Sequence, residues 1–261
     1  RGMAMKNILK IMLMMITIFT IAGSAVYATE IPVSDQDQLI TSSDWTEISN
    51  LQDEMKKEEP DATIDYDKAL KVYVDCNLIK LQTADTKKLT SALESANYVW
   101  VIPFKMEKTY GMFTVAKGLP LREEAKSVLT KAEQEEVKNH AGKWMITETA
   151  EHTVEPYYDI LLEKREALSD CTRVVLVGSQ PGMRQPVALG MDDETARIWI
   201  SLGYQYPVME KIPETQNVES GVYSFESVAD ISDTYIEDSE VSTGAGVQSR
   251  SSMKYVAGIG I

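Results

Sequence analysis

The strongest strand signal in the chain is the segment Tyr98-Val99-Trp100-Val101-Ile102. Aromatic or β-branched residues occupy every position, so neither side of such a strand is suited to contact with water. The segment therefore predicts a central strand of a sheet, and Pro103 and Phe104 are expected to close it. The sheet around this strand decides the fold.

Shorter stretches on both sides of this segment predict its partner strands, because their apolar residues alternate or their β-branched residues cluster. Trp100, Trp144 and Trp199 are expected in the core rather than on a glycan-binding face. The acidic turn 192–194 is expected to join the last two strands as a hairpin. The predicted strands are 70–76, 110–116, 143–147, 173–177, 186–191 and 196–202.

Helical periodicity predicts four helices, at 44–58, 86–96, 122–140 and 157–168. Ser43 is expected to cap the first helix and Pro60 to stop it. In the third, the inward residues are expected to be Ala125, Val128, Leu129 and Ala132.

Together these elements predict an α+β fold with an antiparallel or mixed sheet and helices packed on one face. The order helix then hairpin occurs at 86–116 and again at 157–202, which allows a weak internal duplication.

The first residues have the layout of a secretory signal peptide. After the leader residues 1–4, Lys6 and Lys10 precede the uncharged apolar run Ile11–Ile21, and small residues continue to Ala28. Cleavage is expected after Ala28, which predicts an extracytoplasmic protein, secreted or anchored at the cell surface. The alternative is a retained signal anchor, since the uncharged stretch 11–28 is near the lower limit of about 17–25 residues for a membrane span.

The rest of the chain divides by composition. Residues 29–42 are polar and predict a flexible lead, and 43–213 is expected to form the globular domain. Residues 214–254 are acidic and rich in Ser and Gly, which predicts a disordered stalk, and Val222–Phe225 is the stretch within it that allows a last edge strand. The apolar end 255–261 is either the start of a truncated membrane anchor or a mildly apolar terminus.

The charge excludes one class of partner. The chain has 26 basic and 40 acidic side chains, a net charge of −14, and without residues 1–28 it has 23 and 40, a net charge of −17. So acidic a surface repels nucleic-acid phosphates and anionic lipid head groups. Membrane contact is expected only through Ile11–Ile21 or a C-terminal anchor.

Cys76 and Cys171 are the only cysteines. Export permits a disulfide between them. Cys76 also falls on the apolar face of its predicted strand, where a free thiol acts as a small hydrophobic group. Both alternatives stay open from the sequence.

The common catalytic and metal-binding motifs do not fit. His140 and His152 lack the spacing of a zinc site, and the acidic residues from Asp61 onward lack the Gly and Glu of a calcium-binding EF-hand loop. The turn 178–182 does not have the Gly-x-Ser-x-Gly order of a nucleophile elbow. The sequence therefore assigns no catalytic, metal-ligating or cofactor-binding residue, and no cofactor.

These observations favour an exported, bacterial-type cell-surface protein with a non-enzymatic binding or interaction domain for an unknown extracellular ligand or partner. One alternative is an extracellular hydrolase of wall or glycan polymers, whose paired carboxylates would meet in the fold about 5–10 Å apart. A second alternative is an extracytoplasmic sensor domain between two membrane spans, which requires that Ile11–Ile21 is not removed.

Overall fold

The computed structural model describes residues 31–152, 155–178, 180, 183, 185–203, 212 and 217–236. Within these residues, ten strands form one mixed sheet, which confirms the α+β class. The strands are β1 (Thr63–Ile64), β2 (Leu70–Val74), β3 (Asn97–Lys105), β4 (Tyr110–Lys117), β5 (Trp144–His152), β6 (Arg173–Val177), β7 (Val187–Met191), β8 (Ala196–Ser201), β9 (Asn217–Glu219) and β10 (Val222–Ser224).

The sheet consists of two antiparallel halves joined by a short parallel contact. Its order is β5-β4-β3-β2-β6-β7-β8-β10-β9, and β1 pairs with the end of β3. Every pair is antiparallel except β2 with β6, whose register contains only Val72 opposite Leu176 and Tyr73 opposite Val177. The fold therefore depends on a junction of two residue pairs at the centre of the sheet.

The α-helices cover both faces of the sheet. They are α1 (Trp45–Ile48), α2 (Gln52–Glu58), α3 (Thr86–Glu94), α4 (Lys131–His140), α5 (Tyr157–Glu163) and α6 (Phe225–Ile236). We call the side of the sheet that carries Tyr73, Trp100 and Trp199 the front face, and the opposite side the back face. Helices α1, α2, α3 and α6 pack on the front face, and α5 packs on the back face through Tyr157 and Leu161.

The order of helix then hairpin, from which the sequence analysis allows an internal duplication, can be compared with the positions of the two helices on the sheet. The order does occur in both segments, since α3 precedes β3 and β4 while α5 precedes β6 and β7. However, α3 and α5 lie on opposite faces of the sheet.

Strand β3 is longer than the sequence predicts, because it continues through Pro103 to Lys105 instead of closing at Pro103. The Pro103 carbonyl accepts a hydrogen bond from the Asp65 N–H at 2.9 Å, on the side of β3 that β2 has already left. The N–H that proline lacks would point to the same side, so its loss breaks no ladder bond with β2. The aromatic residues around β3 form a front-face core as expected: Trp100, Phe104, Phe113 and Trp144 are all buried.

The predicted helix 44–58 forms with an interruption. A 3₁₀ turn at Ser49–Leu51 separates α1 from α2, and Ile48 and Met55 are fully buried against the sheet. Helix α2 ends at Glu58 because the residue before Pro60 is pushed out of the helical region.

The predicted helix 122–140 is wrong in its first half. A 3₁₀ turn at Glu124–Ser127 and the separate helix α4 replace it. Thr130 ends the first segment and begins the second, since its side chain and that of Glu133 form a capping box. Val128, expected to face inward, is 80% exposed.

The helix predicted over 157–168 is also shorter in the structure. Helix α5 ends at Glu163, and turns carry the chain on to β6.

The described part of the predicted flexible lead, residues 31–42, is packed into the fold instead. Its backbone lies between the starts of β2 and β6: the Val174 N–H donates to the Pro32 carbonyl at 2.7 Å, and the Leu39 N–H donates to the Ala69 carbonyl at 3.1 Å. Ile31 and Leu39 are buried. Because this segment is polar in composition, the sequence does not predict that it lies between the two halves of the sheet. We call residues 31–39 the wedge.

The predicted stalk is wrong for residues 217–236, which form β9, β10 and α6. Val222 and Tyr223 pair with β8, and Phe225 and Val228 are buried against the front face of the sheet. The few apolar residues in this acidic stretch fall at strand and helix spacing, which an average over composition does not detect. Residues 237–254 of the predicted stalk and the apolar end 255–261 lie outside the described residues.

The predicted signal segment also lies outside the described residues. No helix in the part of the chain that the structure describes is both long enough and apolar enough to cross a membrane.

Candidate functional site

A buried carboxylate fixes the N-terminal segment to the sheet. Asp37 is 2% exposed, and its Oδ1 accepts a hydrogen bond from the Tyr73 hydroxyl at 2.7 Å. Its Oδ2 accepts from the Ser34 hydroxyl at 2.6 Å and from Arg173 Nη2 at 3.2 Å. Lys71 Nζ lies 3.7 Å from Oδ1. We call these five residues the Asp37 network.

The Asp37 network is centred on a buried carboxylate and is structural. The Lys71 ammonium lies over the rings of Tyr98 and Trp100, 4.6 and 5.2 Å from their centroids, so it is enclosed by protein on that side as well. Burial, and then the neighbouring Asp37 charge, raises the pKa of the Tyr73 hydroxyl, which therefore stays protonated and remains a donor. The network joins the N-terminal segment to β2 and β6.

The two cysteines are free thiols in the structure, so the disulfide that the sequence allows is not formed. Cys76 packs against the front-face core and Cys171 belongs to the back-face core, which keeps their sulfurs apart. Burial is the main cause that raises the pKa of each thiol to about 11. Neither is therefore an activated nucleophile at neutral pH.

Thiol labelling tests this result. Unfolded in denaturant without reductant, the purified chain is expected to react with two equivalents of a thiol reagent. The folded protein should react much more slowly at about pH 8, because a pKa near 11 leaves about 0.1% of each thiol as thiolate. A chain with no reactive thiol after unfolding would instead contain the Cys76–Cys171 disulfide.

Among the described residues, two carboxyl groups have raised pKa values, but they do not face each other. Glu148 lies opposite Thr114 on the back face of edge strand β5, and burial raises its pKa to about 7. Burial first, and then the charges of Glu151 and Glu58, raise the pKa of Glu59. Glu151 lies opposite Gly111, on the front face. A hydrolase with paired carboxylates needs both groups in one cleft, about 5–10 Å apart across the substrate, and these two are separated by the sheet.

Glu148 makes stability depend on pH. Between its ordinary pKa of 4.5 and its folded value near 7, the folded state binds more protons than the unfolded state, so stability falls as pH rises through this range. Between about pH 5 and pH 8 this should remove about 1–2 kcal/mol, after allowance for the partial exposure of the group. Urea unfolding of Glu148→Gln should show a smaller loss over that range, and the exposed control Glu94→Gln should behave as the parent does. An equal loss in all three proteins would contradict this assignment.

The candidate site is a cleft beside the start of β8, which we call the β8 cleft. Its volume is about 660 Å³, within the range of small-molecule sites in proteins. The walls are residues 82–84, the turn that contains Asp170 and Cys171, residues 195–198, and the β10–α6 junction.

Backbone pairing holds two of these walls together. The Ala196 N–H donates to the Ala84 carbonyl at 2.7 Å, and the Thr86 N–H donates to the Glu194 carbonyl at 3.0 Å. Gln82 adopts a left-handed backbone with φ of +46°, which is uncommon for a residue other than glycine. The walls therefore come from elements fixed to the sheet rather than from a free loop.

Arg197 is oriented into this region by its neighbours. The register of β7 and β8 places Ile198 opposite Gly190 and Ala196 opposite Met191, so Arg197 is the extra residue of a β-bulge, a feature that redirects a side chain. Arg197 Nε donates to Asp192 Oδ2. Asp192 Oδ1 in turn accepts from the Thr195 and Glu194 N–H groups at 2.7 and 2.8 Å. Those backbone bonds, and then Arg197, lower the pKa of Asp192 and keep it ionised.

Two further charges and an apolar surface complete the β8 cleft. Asp170 and Glu226 are exposed carboxylates in its lining. Asp192 chiefly, and Asp170 to a smaller extent, raises the pKa of Arg197, which therefore stays charged. Ile198, Phe225 and small alanines supply the apolar part of the lining.

The remaining residues from the sequence analysis form no site in the described structure. His140 is the last residue of α4. Asp65 forms an ion pair with Lys68 at 3.7 Å. No group of three or more His, Cys, Asp or Glu side chains in the described ranges is placed to hold a metal ion. The side chain of His152 and most of the turn 178–182 lie outside those ranges.

Sequence reasoning identified the 192–194 turn but not the β8 cleft. The signal that was present is the Asp192-x-x-Thr195-x-Arg197 spacing, which places a turn-forming acid near a cation on the following strand. The register shift at Arg197 and the approach of Asp170 depend on tertiary contacts.

Comparison with protein-family models, with curated proteins and with solved structures finds no protein detectably similar to this chain.

Proposed function

We propose that this chain is an exported, extracytoplasmic protein whose folded domain binds a small ligand in the β8 cleft. The observation that supports the binding role best is the oriented Arg197 in a cleft of about 660 Å³. The side chain is 51% exposed, and Nε is the atom that bonds to Asp192. Among the described residues, Asp192 is the one that Arg197 pairs with, and it engages Nε, so the two Nη groups are left to meet a ligand.

The lining of the cleft favours a binding role over a catalytic one. Its charged groups are fixed by hydrogen bonds or lie at the rim, and its one thiol is protonated at neutral pH because its pKa is about 11. A few oriented polar groups beside an apolar surface are the usual composition of a ligand pocket. The signal-like first 28 residues support export of the protein.

N-terminal sequencing tests the export part of the proposal. When the full chain is expressed in a bacterium and the extracytoplasmic fraction is collected, the first residue is expected to be Thr29. A chain that keeps Ile11–Ile21 and fractionates with the membrane would contradict cleavage and would favour the sensor alternative.

Ligand screening by thermal shift on the exported product tests the binding part. A ligand present at about 100 times its Kd should stabilise the protein by about 2.7 kcal/mol. Ala229→Phe, which places a large side chain in the cleft, should abolish the shift, and the control Asp230→Phe on the exposed side of α6 should retain it. Shifts that survive Ala229→Phe unchanged would show that ligands bind elsewhere.

A further inference from the structure

We infer that the β8 cleft takes a basic α-amino acid or a short basic peptide, that is, a ligand with one carboxylate and two cationic groups. The inference rests on the proposed function, since it names the ligand of the same cleft. It follows from how Arg197, Asp170 and Glu226 are distributed along the lining.

The carboxylate of the ligand would meet Arg197. A guanidinium presents its donors as a planar fork that matches a carboxylate with two parallel hydrogen bonds. Asp192 holds Nε and so fixes the plane of this fork, and Asp192 is itself held by two backbone N–H groups. Orientation before binding reduces the entropy lost when the ligand is bound.

The two cationic groups would meet the two acids. Asp170 lines the cleft from the turn before β6 and would meet one ammonium group of the ligand while the ligand's carboxylate meets Arg197. Glu226, in the first turn of α6, lines the cleft at the β10–α6 junction and would meet the second cationic group of the ligand. With Asp192, which neutralises Arg197, the charged groups of the cleft carry a net negative charge, and a basic amino acid carries a net positive one.

The apolar part of the lining fits the stem between these charges. Ile198 and Ala229, which are both partly exposed, lie in the lining that also carries Arg197 and Glu226, and methylene groups of a basic side chain would pack against them. A diamine without a carboxylate would leave the fork of Arg197 unpaired, and an acidic amino acid would bring a second carboxylate towards Glu226. The acidic protein as a whole, with its net charge of −14, attracts cationic ligands.

Titration calorimetry on the exported protein tests this inference with four probes. L-lysine and the dipeptide glycyl-lysine have all three charged groups; norleucine lacks the side-chain ammonium of lysine, and cadaverine lacks its carboxylate. L-lysine or glycyl-lysine should bind at least about 10-fold more tightly than norleucine and cadaverine. The tighter of the first two shows whether the ligand is a free amino acid or a peptide.

Three variants assign the contacts. Arg197→Gln should weaken the binding of L-lysine by about 10- to 100-fold without weakening that of cadaverine, which has no carboxylate for Arg197 to meet. Glu226→Gln should remove the preference for L-lysine over norleucine. The control Asp230→Asn, exposed on the same helix, should match the parent. Equal unfolding midpoints in urea would show that each variant is folded.

The outcomes separate this inference from the proposed function. If L-lysine and glycyl-lysine do not bind, but another ligand shifts the NMR signals of residues 195–198, the inference is overturned and the proposed function stands. If no ligand of any class perturbs those signals, both are overturned. Binding of L-lysine that Arg197→Gln and Glu226→Gln leave unchanged would also overturn the inference.

Discussion

Replacing Asp37 with alanine is expected to lower the free energy of unfolding by about 3–5 kcal/mol, the cost of removing one partner from a buried ion pair. The change leaves Lys71 and Arg173 without their shared carboxylate. Their side chains are only 11% and 26% exposed, so water replaces the lost interaction poorly. The Tyr73 hydroxyl also loses its 2.7 Å acceptor.

Urea unfolding followed by tryptophan fluorescence measures this effect. Asp35→Ala is the matched control, because Asp35 is an exposed acid in the same segment, and its change should stay within about 0.5 kcal/mol. Asp37→Asn keeps a side chain of the same shape and separates the loss of charge from the loss of hydrogen bonding. If Asp37→Ala and Asp35→Ala were equally stable, the N-terminal segment would not depend on the Asp37 network.

Replacing Phe225 with alanine should destabilise the protein by a similar amount, about 3–5 kcal/mol, as expected for a large aromatic removed from a core. Phe225 is 2% exposed, and its ring centroid lies 6.1 Å from that of Trp199. The result would show that residues after 214 belong to the folded domain. The same urea experiment on Asp230→Ala, an exposed position on α6, should give little change.

The outcome for Phe225 distinguishes a folded element from a solvated stalk. A stalk predicts that Phe225→Ala and Asp230→Ala are both neutral, whereas packing of α6 on the front face predicts that only the first is costly. Limited proteolysis gives a second measurement, since Phe225→Ala should expose residues 217–236 to cleavage before the rest of the domain.

The elements that could be predicted from sequence are those set by local pattern. The β-branched run of β3, the alternation of β2 and the Leu89 and Leu93 spacing of α3 each determine their structure within one segment. The 192–194 turn is local as well, since Asp192 bonds to backbone groups two and three residues ahead.

The parts that could not be predicted depend on residues far apart in the chain. In the sequence Asp37 is an ordinary acid in a polar segment, and only the folded structure places Tyr73 and Arg173 around it. Arg197 is likewise an ordinary basic residue in the sequence, and only the register of β7 and β8 places it in a β-bulge. The fold class could therefore be predicted from the sequence, but the candidate site could not.

The wedge of residues 31–39 has a consequence for the timing of folding. Its backbone pairs with Val174, more than half of the chain away, and Asp37 needs Arg173 from the same strand. Contacts so distant in sequence form late, because a long loop must close first. A chain exported amino end first, as proposed, would hold this segment unpaired until β6 had also crossed the membrane. Folding would then be completed only when translocation is well advanced.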